Sequence, residues 1–136
     1  MFLYQLNTIE KMAFVQLAKE IVTVDDGKID EYEYNLLTVM SNEMQIPVES
    51  ALSIEFNIDQ LAGKFQSLIS KRICFAELYS LAIANNEYHE KQGIILDALI
   101  IRFGFNSNEV AQIKDWVQNA LDLSNNGIKL MTKGVL

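Results

Sequence analysis

Residues 24–33, Val24-Asp25-Asp26-Gly27-Lys28-Ile29-Asp30-Glu31-Tyr32-Glu33, set five carboxylates and one lysine around a glycine. Oxygen-rich clusters of this kind suit hard cations such as Ca²⁺ and Mg²⁺, which prefer carboxylate, carbonyl and water ligands. Asp25, Asp26, Asp30 and Glu33 are the candidate metal ligands. The spacing is not that of an EF-hand loop, which places its acids at alternate positions before the glycine. A capping role accounts for part of the charge. Asp30, Glu31 and Glu33 fall where the first turn of a helix begins, and an anion there gains about 0.3–1 kcal/mol from the macrodipole. Asp25 and Asp26 fall at the end of the preceding helix, where the dipole disfavours negative charge. Two carboxylates about 4 Å apart repel by about 4 kcal/mol at an effective dielectric of 20, so Lys28, solvent or a bound cation must offset them.

The elements that position this turn follow from apolar spacing at three and four, which predicts helices throughout. Ile9, Met12, Ala13, Phe14, Leu17, Ala18, Ile21 and Val22 form one broad face, and Asn7-x-x-Glu10 has the form of a capping box, giving a helix from about 8 to 24. Gly27 supplies a left-handed residue at its end, and Asp30-x-x-Glu33 forms a second capping box. Tyr34, Leu36, Leu37, Met40, Met44 and Ile46 continue the next helix, which ends before Pro47 because proline disfavours helical geometry in its predecessor. Pro47 opens a short helix through about Ile54.

Helical spacing resumes at Ile58, Leu61, Phe65, Leu68 and Ile69, then at Ile73, Phe75, Leu78, Leu81 and Ala82 after a Ser70 cap. A polar turn, Asn85-Asn86-Glu87, precedes a helix from about His89 to Phe103 that stops at Gly104. Its run Ile94 to Ile101 is apolar on more than one face, which places it in the core or, as the alternative, on a contact surface, and core is the expectation. Asn106-x-x-Glu109 opens a last helix carrying Val110, Ile113, Trp116, Val117 and Leu121. Phe103, Phe105 and Trp116 are expected to fill the interior. The expectation is one all-α domain over 1–136, a compact bundle with its core at about 9–122 and a frayed tail at 123–136 that leaves room for a partner contact.

A shift of 59 residues sets Ile29 on Tyr88, Leu36 on Ile95, Leu37 on Leu96, Met40 on Leu99 and Met44 on Phe103. In the turn, Asp26-Gly27 falls on Asn85-Asn86, Glu31 on Glu90 and Glu33 on Gln92. The chain thus reads as two quasi-repeated helix-turn-helix units. Because Asn85-Asn86 supports a left-handed turn without charge, the fold does not require acids at this place.

Helix, Asp-Gly turn with a glutamate six residues after the glycine, helix, given twice in about 130 residues, resembles the TerB-like tellurite-resistance domain. The likeness covers about residues 9–117, on Asp26-Gly27-Lys28-Ile29-Asp30-Glu31-Tyr32-Glu33 and a decayed copy from Ala84 to Gln92. It implies an all-α fold of about seven helices, an acidic surface cluster holding a divalent cation, and a place in a bacterial stress-response system near the membrane. Asn85 and Gln92 depart from the acidic pattern, so the implication rests on the first turn.

Composition bounds the remaining classes. Residues 1–68 hold 11 acids against 4 Lys, whereas residues 69–136 hold 7 acids against 7 Lys plus Arg. No basic patch is available to displace counterions from phosphates, so nucleic acid is not an expected partner. The single cysteine, Cys74, fits a reducing compartment and packs as a small hydrophobe, and His89 begins a helix rather than serving a thiol–imidazole pair. The first residues lack a basic flank and a long apolar run, and no stretch reaches the length of a membrane span. Cytoplasmic localisation is expected, with peripheral membrane association left open. No G-x-S-x-G, H-E-x-x-H or phosphate-binding glycine loop is present. The functional expectation is a non-enzymatic binding or scaffold module with a protein partner and a Ca²⁺ or Mg²⁺ cofactor at the acidic turn. The alternatives are a small hydrolase using that turn and a purely structural protein-interaction domain.

Overall fold

The computed structural model describes residues 1–47, 55–84 and 88–135. The short helix expected from Pro47 to about Ile54 and the polar turn Asn85-Asn86-Glu87 lie outside these residues, apart from Pro47 itself. Among the described residues the chain is all-helical: a 3₁₀ turn (Leu3–Gln5) precedes α1 (Thr8–Thr23), α2 (Glu31–Met44), α3 (Ile58–Ala62), α4 (Leu68–Ile83), α5 (Glu90–Phe103) and α6 (Ser107–Thr132). Six α-helices are described where about seven were expected.

Both predicted capping boxes form. Asn7 Oδ1 accepts from the Glu10 N–H at 2.8 Å while Glu10 Oε1 accepts from the Asn7 N–H at 2.9 Å, satisfying donors that the start of α1 would leave unpaired. Asp30 and Glu33 repeat the exchange at the start of α2. Gly27 takes φ 75° and Gly104 φ 74°, the left-handed geometry a side chain resists. The end of α2 differs from expectation in its cause. Gln45 itself turns left-handed at φ 59°, and the Ile46 N–H reaches back to the Ser41 carbonyl at 3.0 Å, so the helix closes before Pro47 can act on it.

The core is built on α1 and α4, which pack on one another; α4 also packs against α5, α6 and the 3₁₀ turn, and α1 against α2, α3 and α5. Phe14, Leu17 and Ile21 from α1 meet Phe75 and Leu78 from α4 and Leu96 and Leu99 from α5, all fully buried. Edge-on aromatic pairs tie the α5–α6 corner to the centre, Phe65 to Phe103 at 5.9 Å and Phe75 to Phe105 at 5.9 Å. Phe103 and Phe105 thus fill the interior as expected.

Other expected core positions turn outward. Ile9 and Tyr34 are exposed because each stands off the stripe that its helix presents to α1 or α4. Trp116 is also half in water and lies beside Phe2 at 5.5 Å instead of entering the core. Leu68 and Ile69 do not extend the α3 face: α3 stops at Ala62, and Ser67, not Ser70, caps α4 by accepting from the Ser70 N–H at 3.0 Å. The Ile94–Ile101 run splits, with Ile95, Leu96 and Leu99 inside and Ile94, Asp97 and Ile101 outside. The tail expected to fray is helical, since α6 continues without a break to Thr132.

Candidate functional site

The acidic turn closes over a pocket of about 370 Å³, lined by Asp25, Asp26, Lys28, Ile29, Asp30, Glu33 and His89. Three elements hold it: the end of α1, the start of α2 and His89 at the start of α5. The four carboxylates read from the sequence therefore share one space. Each is committed differently. Asp26 Oδ1 accepts from the Lys28 N–H at 2.8 Å and shapes the turn, while the Gly27 N–H closes onto the Thr23 carbonyl at 2.7 Å. Asp30 Oδ1 accepts from the Glu33 N–H at 2.7 Å, and Glu33 Oε1 accepts from the Asp30 N–H at 3.2 Å.

Asp25 is the carboxylate that helix capping leaves unexplained. Its Oδ2 stands 3.3 Å from His89 Nε2, whereas its Oδ1 is buried and meets no hydrogen-bond partner among the described residues. A buried acceptor without a partner carries a desolvation cost of about 1–3 kcal/mol, more when charged. Glu33 records the crowding of negative charge: burial first, then hydrogen bonding to the Asp30 carboxyl and the charges of Asp30 and Asp25, push its pKa up from 4.5 to about 7. Among the described residues, no three His, Cys, Asp or Glu side chains stand close enough together to hold an ion in this arrangement. Asp30 and Glu33 are turned onto backbone amides, so cation binding here requires their side chains to swing into the pocket.

Sequence reasoning placed His89 at the head of its helix, where it is, and missed its place opposite Asp25. The available signal was the 59-residue shift, which puts His89 on Asp30. Below the pocket, Gln92 performs a second task that the shift did not reveal. It is buried, its Oε1 accepts from the His89 N–H at 3.3 Å, and its Nε2 donates to the Ile21 carbonyl at 2.8 Å, pinning α5 to the last turn of α1. Cys74 is wholly buried in the core, and burial, then the charge of Glu10, pushes its thiol well above the usual range.

A second concavity, of about 410 Å³, opens between the 3₁₀ turn, α4 and α6, with Phe2, Ile69, Ile73, Ala76, Ile113 and Trp116 along its walls. The Phe2 N–H donates to the buried Glu77 carboxylate at 2.8 Å, which fixes the wall formed by Phe2. Among the described residues, no helix is long and apolar enough to cross a membrane. No family model matches the chain, and neither the curated proteins nor the solved structures yield a match.

Proposed function

We propose that this chain is a non-enzymatic TerB-like binding or scaffold module of a bacterial stress-response system, and that its acidic pocket takes up a hard divalent cation, Ca²⁺ or Mg²⁺. The observation that carries the cation reading is Asp25 Oδ1, a buried acceptor without a hydrogen-bond partner among the described residues, on the wall of a pocket that three further carboxylates line. A cation there would satisfy that oxygen and offset the Asp30 and Asp25 charges that add to burial in raising the Glu33 pKa. Asp25, Asp26, Asp30 and Glu33 are the proposed ligands, completed by water.

The TerB-like reading is supported by the likeness between α2 and α5. Each is a 14-residue helix, their N-caps Asp30 and His89 stand 59 residues apart, and so do their left-handed stops, Gln45 and Gly104. In a duplicated helix-turn-helix unit these correspondences follow from descent. The module would act in the cytoplasm, alone or at a membrane surface, through a protein partner.

Calorimetric titration with Ca²⁺ and separately with Mg²⁺ tests the pocket. Saturable heat in the wild type, weakened about tenfold or more in Asp25→Asn, is expected. An absent response to both ions, or an equal one in the variant, overturns the reading. A second reading, a small hydrolase, is favoured by the Glu33 carboxyl held near neutrality beside the Asp25–His89 contact, an arrangement suited to proton transfer. Turnover of ester or peptide substrates that Glu33→Gln abolishes would select it.

A further inference from the structure

Along α6, at 3.6 residues per turn, side chains divide into two halves of the cylinder. Asn119, Asp122, Asn126, Lys129 and Lys133 occupy one, and Trp116, Ala120, Leu123, Gly127, Leu130 and Met131 the other. Only Val110 and Val117, both in the first half of the helix, are buried. Beyond them the apolar half lies in water: Leu123 is 75% exposed, Leu130 69% and Met131 81%. Among the described residues nothing covers this face, and Trp116 joins it to the apolar groove of about 410 Å³.

We infer that a second copy of this chain covers the face, the two α6 helices pairing antiparallel about Leu123 so that each copy's Leu130 and Met131 enter the groove beside Trp116 of the other. The register follows from the row Trp116, Leu123, Leu130, whose seven-residue steps are symmetric about Leu123. In an antiparallel pair centred there, Leu123 meets Leu123 and Trp116 meets Leu130. Ala120 and Gly127, beside that row, let the backbones approach closely. Projecting helix and groove lie on one chain, which is the self-complementarity a two-fold dimer requires.

Area and charge both select this occupant. The exposed apolar side chains of α6, with Ile69 at 65% exposure, present a surface on the order of the ~800 Å² per partner of a stable interface. With its C-cap Lys133 the helix is electrically balanced, Glu109, Asp115 and Asp122 standing against Lys114, Lys129 and Lys133, so two copies meet along it without adding to the repulsion of chains carrying −7 each. An anionic membrane would call for a strongly basic polar face, whereas this one sets only Lys129 and Lys133 beside Asp122 and two asparagines. The inference stands apart from the acidic pocket: cation titration can fail while the dimer holds.

Sedimentation equilibrium of the full chain should give twice the chain mass at micromolar concentration. Leu123→Glu with Leu130→Glu should give a folded monomer, since both residues lie outside the core. Oxidative cross-linking fixes the direction. Leu123→Cys should form an intermolecular disulfide readily, whereas Leu130→Cys should not, its two copies lying about 21 Å apart at 1.5 Å per residue. A wild-type monomer, a dimer that the double variant leaves intact, cross-linking of Leu130→Cys as fast as Leu123→Cys, or failure of Leu123→Cys to cross-link would each overturn it. Binding to anionic vesicles by a chain that is monomeric in solution would do the same.

Discussion

Replacing Gln92 with Leu tests whether the buried amide ties α5 to the last turn of α1. The substitution keeps side-chain volume and removes two hydrogen bonds at once, that from the His89 N–H at 3.3 Å and that to the Ile21 carbonyl at 2.8 Å. The Ile21 carbonyl belongs to the last turn of α1, where a helix leaves its acceptors without partners of its own. With Gln92 only 3% exposed, water cannot readily replace it. Each stranded group costs about 1–3 kcal/mol, the longer bond giving the smaller loss, so Gln92→Leu should lose about 2–4 kcal/mol. For a domain of this size that lowers Tm by about 6–16 °C. Urea unfolding followed by circular dichroism measures it through the midpoint at unchanged slope. Gln92→Glu sharpens the test. Its carboxylate still accepts from His89 but faces the Ile21 carbonyl with a second acceptor, so the variant should be as unstable as Gln92→Leu near neutral pH. It should recover in acid, where the protonated carboxyl donates again. A loss below about 0.5 kcal/mol for Gln92→Leu would refute the assignment of Gln92 as the tie between α1 and α5.

Two further outcomes follow from the turn itself. Glu33 has a folded pKa of about 7 against an unfolded value near 4.5, so between these values the folded chain binds more protons than the unfolded one. The stability this contributes is fully present below about pH 4.5 and lost as pH rises through about 7; Tm profiles of wild type and Glu33→Gln should therefore diverge across that window, with the variant flatter, and parallel profiles would contradict the raised pKa. Asp30→Ala should cost about 1 kcal/mol by removing the cap of α2, whereas Asp30→Asn should cost almost nothing because asparagine caps as well. Urea midpoints compare the two, and equal losses would mean that charge rather than capping holds the helix start.

The local rules that were legible in the sequence concern groups that must be satisfied within a few residues. Asn7 with Glu10, Asp30 with Glu33, and the left-handed glycines Gly27 and Gly104 all lie where spacing placed them, because near neighbours satisfy the backbone groups that these helix ends leave. The acidic cluster was legible for the same reason, being one short stretch of chain. His89 was not, since its approach to Asp25 depends on how α5 docks against α1, and the tie that sets this docking, Gln92 to Ile21, spans 71 positions. The start of α4 illustrates a competition between caps. Ser67 and Ser70 are both good caps, and Ser67 prevails with its own side chain accepting the Ser70 N–H, which leaves Leu68 and Ile69 on the outside of a first turn.

Apolar periodicity says that a helix has a face to bury and is silent on what buries it. In α1 and α4 the face meets the rest of the chain, so the sequence pattern and the folded core coincide. In α6 the same pattern runs past the end of the domain body: Val110 and Val117 find partners in the core, and Leu123, Leu130 and Met131 repeat the pattern into water. An isolated helix of this length gains too little from propensity alone to justify a half-apolar surface, and helical stability in proteins comes mainly from packing such a face. Trp116 marks the transition, touching Phe2 of its own chain on one side and open on the other. Trp116, expected in the interior and found half in water, therefore locates where the domain body stops.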